Sequence, residues 1–115
     1  MKRVLPRGLS VAVVTPMAED GSIDFAALDH HAGWLIEQGA DVLMPCGTTG
    51  ESATLDADEQ RRVIATCVQA ADGRVPVFAG AGTNSTESSK RLAAAAVEEG
   101  ASGLLLVTPY YNRPS

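Results

Sequence analysis

The sequence predicts an α/β fold in which parallel strands alternate with helices in the order β-α-β-α-β-α-β. Three observations carry the prediction. Four apolar runs recur about 30 residues apart, as βαβ units require. Those runs are continuous instead of alternating, the pattern of strands covered on both faces of a parallel sheet. The segments between them repeat apolar residues at intervals of three and four, the period of a helix with one buried face.

The first strand is the run Leu9-Ser10-Val11-Ala12-Val13-Val14. The first helix follows, with Asp24 as its N-cap, Phe25, Leu28, Ala32, Leu35 and Ile36 as its apolar face, and Gly39 as its stop. The second strand is Asp41-Val42-Leu43-Met44-Pro45-Cys46. Asp56-Ala57-Asp58-Glu59 has the form of a capping box, and Val63, Ile64, Cys67, Val68 and Ala71 form one face behind it before Asp72-Gly73 ends the helix. The third strand is Val75-Pro76-Val77-Phe78-Ala79. A helix from about Ser85 to Glu99 turns Leu92, Ala93, Ala96 and Val97 inward and stops at Gly100. Gly103-Leu104-Leu105-Leu106-Val107 is the fourth strand.

An internal echo narrows the fold. Residues 36–44 and 97–105 align without a gap, helix end on helix end and strand on strand. A repeated βα module points to a barrel more than to a doubly wound sheet. A closed (β/α)8 barrel takes about 250 residues. Four strands within 115 residues therefore read as the N-terminal half of a TIM barrel, a single unit over residues 1–115.

Composition bounds the function. The chain is 45% hydrophobic and 20% charged, enough for one core and no more. Nine Lys plus Arg against fourteen Asp plus Glu leave a net charge of −5, which argues against a nucleic-acid or anionic-membrane surface. Cys46 and Cys67 lack C-x-x-C spacing and are expected to be buried, reduced thiols. The basic start, Met1 to Arg7, leads into an apolar run cut by Thr15-Pro16, so neither a secretory signal nor a membrane span is expected, and a cytoplasmic location is. His30 and His31 lie mid-helix without a partner at ligand spacing, and no metal or cofactor is expected.

In parallel βα folds the chemistry collects beyond the carboxyl ends of the strands. Those positions read Thr15-Pro16, Gly47-Thr48-Thr49-Gly50-Glu51, Gly80-Ala81-Gly82-Thr83-Asn84 and Thr108-Pro109-Tyr110-Tyr111-Asn112. In the second, glycines flanking two threonines let backbone N–H groups and hydroxyls converge on a small anion such as a carboxylate; a tight turn with capping threonines fits the same residues. The third is read as a tight turn into the third helix, since it lacks the last glycine of a dinucleotide fingerprint and the lysine of a P-loop. The fourth places two phenols after a strand, where one can relay protons with a threonine hydroxyl or Tyr110 can pack on a neighbouring subunit.

Gly47-Thr48-Thr49-Gly50-Glu51-Ser52-Ala53-Thr54-Leu55, together with Val107 to Ser115 and Ala12-Val13-Val14-Thr15-Pro16-Met17, resembles the dihydrodipicolinate synthase branch of the pyruvate-dependent class I aldolases. The likeness runs in register over essentially the whole chain. N-acetylneuraminate lyases, which usually carry Ser-Thr at the first threonine pair, are the alternative within that superfamily. The resemblance implies a lysine that forms a Schiff base with pyruvate, attack of the enamine on aspartate semialdehyde, and cyclisation, in lysine and diaminopimelate biosynthesis. It implies proton-relay roles for Thr48 and Tyr111, the latter crossing a dimer interface. Thr49 and Gly47 then bind the pyruvate carboxylate, and Ser52, Ala53, Asn84 and Tyr110 belong to an interface pocket. In lysine-sensitive relatives that pocket carries histidines and a glutamate where this chain has Ala57, Gln60 and Ser88, so weak feedback by lysine is expected.

The lysine census bears on the chemistry separately. An imine-forming lysine needs a desolvated position that lowers its pKa. Lys2 lies in the N-terminal tail and Lys90 among Ser88, Ser89 and Arg91 on a polar helix face, so the Schiff-base lysine is expected outside this chain and the chain is expected to be inactive alone. A homo-oligomer or a complementary C-terminal half is the expected partner. Two other classes remain open: a noncatalytic, self-assembling half-barrel, and a small carboxylate-binding module.

Overall fold

Proline beside the second and third strands keeps those strands short. In the computed structural model, which describes residues 8–47, 50, 54–82 and 85–106, β1 is Ser10–Ala12, β2 Val42–Met44, β3 Phe78–Gly80 and β4 Gly103–Leu105. Pro45 has no N–H to continue β2, and Cys46 behind it takes a left-handed backbone with φ of 61°. Pro76 likewise delays β3, although its carbonyl still accepts from Leu43 N at 3.1 Å. The apolar runs thus overstate the ladders, and at β2 and β3 a missing donor sets the bound.

The strands pair in parallel and in sequence order. Ser10, Val11 and Ala12 face Val42, Leu43 and Met44, and Phe78, Ala79 and Gly80 face Gly103, Leu104 and Leu105. A parallel bridge from Leu43 to Val77 and the bond from Gly80 N to Pro45 O, 2.9 Å, join the two pairs. The resulting order, β1-β2-β3-β4 without reversal, is that of a barrel and not of a doubly wound sheet. The helices α1 (Phe25–Glu37), α2 (Ala57–Ala71) and α3 (Thr86–Glu98) alternate with the strands. The structure is the N-terminal half of a (β/α)8 barrel.

Cap chemistry forms the first two helix starts as the sequence predicts, and a serine predicted only as the helix boundary caps the third. Asp24 accepts from Ala27 N at 2.9 Å. Asp56 and Glu59 bond reciprocally at 2.8 and 3.0 Å, and Ser85 accepts from Ser88 N. The echo between 36–44 and 97–105 is one motif built twice. Gly39 (φ 108°) and Gly100 (φ 98°) each end a helix, and the buried alanine that follows, Ala40 or Ala101, bonds five residues back to Leu35 or Ala96 at 3.0 Å. This Schellman closure feeds the chain straight into β2 and β4.

One core lies between strands and helices. Val13, Leu43, Val77 and Ala79 meet Leu28, Ala32, Val63, Ile64, Cys67 and Ala96 there. Arg62 of α2 covers the Phe25 ring of α1 at 4.0 Å, and Arg61 reaches Glu98 at 2.8 Å and Glu99 at 3.5 Å at the end of α3, so α2 is tied on both sides. Two expectations need correction. Burial on both faces holds only near β2 and β3: Val14 and Leu105 are exposed because the face of the sheet turned from the helices has no opposing wall among the described residues, and Leu106, just past β4, has no described helix over it. Val97 is exposed instead of inward, since no described helix lies on the outer flank of α3; only Ala96 of that helix is buried. The sequence reading also leaves out the turn before α1. There Met17 and Ile23 bridge antiparallel, and Asp20 accepts from both Ser22 N (2.9 Å) and Ser22 Oγ (2.6 Å), bonds that lower its pKa.

Candidate functional site

The carboxyl ends of β1, β2 and β3 converge on one turn. After Met44 the chain passes through Pro45 and the left-handed Cys46 to Gly47, whose carbonyl accepts from Gly50 N at 3.1 Å. That bond brings Gly50 back against Gly47 at the end of β2. Thr15, just past β1 and 5% exposed, donates its hydroxyl to the Gly50 carbonyl at 2.6 Å. Gly80, the last residue of β3, lies so close to Cys46 that a Cβ there would overlap the Cys46 carbonyl.

Neither thiol supplies a nucleophile. Burial pushes Cys46 up to about 12, and burial, followed by the nearby Cys46 and Asp29, does the same for Cys67. Cys46 donates its Sγ–H weakly to Gln60 O at 3.7 Å. The expected buried thiols are found: both are free. Lys90 lies where the sequence predicts, its side chain 71% exposed and 3.7 Å from Glu87 on the same helix face. His31 stacks on Trp34 with ring centroids 5.9 Å apart, a helix-surface role.

Of the residues predicted from sequence, Gly47 is in the turn as described. Thr48, Thr49, Ser52, Ala53, Asn84, Tyr110 and Tyr111 lie outside the described residues, as does Lys2. Ala57, Gln60 and Ser88 come together in a cleft of about 240 Å³ between the start of α2 and α3, completed by Leu55, Arg91 and Leu92. The Arg91 guanidinium donates to Ser88 Oγ at 3.2 Å, one helical turn away. Sequence reasoning passed over Arg91 as a surface charge; the three-residue spacing to Ser88 was the available signal. A wider cleft of about 410 Å³, lined by Phe25, Arg62, Val68, Gln69 and Glu99 among others, belongs to the helix layer. Among the described residues no group of three His, Cys, Asp or Glu is placed to hold a metal, and no helix is long and apolar enough to cross a membrane.

Parallel strands in unbroken order and a glycine-closed turn pinned beyond β2 define a βα-barrel protein whose ligand face is the carboxyl rim. The sequence model of the Dihydrodipicolinate synthetase family matches residues 5–115. The chain belongs to that family. It is 54% identical over 108 residues to a 4-hydroxy-tetrahydrodipicolinate synthase of Acidiphilium cryptum, covering 94% of this chain and 37% of that protein. The crystal structure of the chloride-inhibited dihydrodipicolinate synthase from Acinetobacter baumannii, complexed with pyruvate, superposes with a TM-score of 0.93 at 44% identity, over 96% of this chain and 38% of the other. A prophage protein of the dihydrodipicolinic acid synthase family from E. coli K12, also in complex with pyruvate, gives 0.91 at 30% identity, over 97% and 38%. The chain thus spans well under half the length of these relatives.

Proposed function

We propose that this chain is the pyruvate-binding N-terminal half of a dihydrodipicolinate synthase-type lyase, which condenses pyruvate with aspartate semialdehyde through a Schiff base. In this reading Gly47 and Thr49 hold the pyruvate carboxylate, and Thr48 and Tyr111 relay protons as the imine forms and is deprotonated to an enamine, which then attacks the aldehyde carbon while the aldehyde oxygen takes up a proton. Ser52, Ala53, Asn84 and Tyr110 belong to a contact between subunits. Residues 1–115 form a single unit of the barrel, cytoplasmic and without a cofactor, that is inactive until the remaining βα modules supply the amine. The observation that carries the reading is the Gly47–Gly50 turn, held across the end of β2 in a chain of this family. Pyruvate is the better supported substrate, since two family structures hold it while one of them lies at only 30% identity. With alanine, glutamine and serine in the cleft at the start of α2, lysine binds the completed enzyme weakly.

Two measurements test this. Titration of the ¹⁵N-labelled chain with pyruvate is expected to shift the Gly47 and Gly50 amides saturably; unmoved amides at millimolar pyruvate defeat the carboxylate assignment. Borohydride added with pyruvate is expected to leave no covalent adduct, because Lys90 is solvated and paired with Glu87. An adduct mapped to Lys90 would overturn the division of labour between this half and the rest of the barrel.

A further inference from the structure

The turn beyond β2 is held in a backbone state that its own residues do not favour. Cys46 adopts φ of 61° without being glycine, a conformation that persists only when its surroundings enforce it. On one side the bare Cα of Gly80 leaves room for the Cys46 carbonyl, and Gly80 N bonds Pro45 O at 2.9 Å. On the other, the space that a Cβ of Gly50 would occupy is filled by Val13 O at 2.8 Å and Thr15 Oγ1 at 3.2 Å, so Gly50 sits flush against the end of β1. The Thr15 hydroxyl then reaches the Gly50 carbonyl at 2.6 Å, bridging 35 residues of sequence in a buried setting. A buried carbonyl stripped of its donor costs more than the bond itself is worth, so the hydroxyl biases the turn strongly toward this one seating.

We propose that Thr15 is a positioning residue: its hydroxyl sets where the Gly47–Gly50 turn lies across the carboxyl rim, and through it the affinity for a small carboxylate. The consequence for ligand rests on the proposed pyruvate site; the consequence for the turn does not.

The test uses the whole chain with two substitutions, Thr15→Val, which keeps the shape and removes the donor, and Thr15→Ser, which keeps the donor. Amide hydrogen exchange is read at Gly50, whose N–H closes the turn, and at Val63 and Ile64 in α2 as a reference for global stability. Thr15→Val is expected to speed exchange at Gly50 by about tenfold relative to that reference, with Thr15→Ser near wild type. Unchanged exchange at Gly50, or an equal rise at all three amides, overturns the proposal. Pyruvate affinity is then followed by the shifts of Gly47. About tenfold weaker binding in Thr15→Val, recovered in Thr15→Ser, supports the link to ligand; equal binding in wild type and Thr15→Val overturns it. If wild type itself fails to bind, the pyruvate assignment falls while the exchange data still decide the role of Thr15 in the turn.

Discussion

Glycines at Gly33 and Gly103 occupy opposite environments, and that difference makes their replacement informative. A Cβ on Gly103 would meet the Phe78 ring at 2.5 Å, since the ring of β3 lies across its partner in β4. Gly103→Ala is expected to lower stability by about 1–3 kcal/mol through overpacking, read as a lower urea midpoint. Gly33 lies within α1 with open space around its Cα. Gly33→Ala is expected to raise stability by about 0.4–1 kcal/mol by restricting the unfolded chain; a loss there would mean that α1 packs differently. The thiols make a second residue-scale prediction. Their folded pKa values, about 12, lie above the ordinary 9.0, so the unfolded chain releases these protons first as pH rises. Their contribution to stability is complete below pH 9 and declines from there toward 12. Thiol reagents at pH 8 should label neither cysteine in the native protein and both in denaturant; fast native labelling of Cys46 would contradict its burial.

Among the elements, α2 depends most on its start. It contributes more buried residues than either other helix: Gln60, Val63, Ile64, Cys67 and Ala71. The reciprocal bonds of Asp56 and Glu59 satisfy two backbone donors at that start. Asp56→Ala is expected to cost about 0.5–2 kcal/mol, measured by thermal denaturation, whereas Asp58→Ala, exposed in the same first turn but not the cap, should cost less. Equal losses in the two variants would point to general helix-end charge and away from the cap.

At the scale of the whole molecule, exposed apolar side chains line the sheet and its outer strands. Leu9 is 58% exposed, Val14 45%, Leu105 39% and Leu106 60%, and fully burying such a side chain yields roughly 1.5 to 3 kcal/mol. Together they approach the stability of an ordinary small domain, about 5 to 15 kcal/mol. The 115-residue chain prepared alone is therefore expected to self-associate, by pairing at β1 and β4 or by covering the open sheet face. Sedimentation equilibrium at micromolar concentration checks this: concentration-dependent association is the expected result, and a monomer with cooperative unfolding would show that the half-barrel is sufficient as it stands.

Element order, helix caps, the paired Gly39 and Gly100 closures and membership of the family were all legible in the sequence. Each rests on local chemistry: apolar period, an acid or serine at a helix start, a glycine at its end, and residue strings that hold their own register. Strand length was partly legible, because Pro45 and Pro76 announce missing donors, yet the exposure of Val14, Val97 and Leu106 was not, since an apolar residue does not encode what lies opposite it. Tertiary structure alone decided that Cys46 turns left-handed, that Gly80 makes room for it, that Thr15 holds Gly50, and that Gln60 of α2 meets Ser88 of α3 in one cleft. These relations join atoms from different elements at hydrogen-bond or van der Waals range. Such distances are set by how the βα modules pack, and no residue carries them in its own identity.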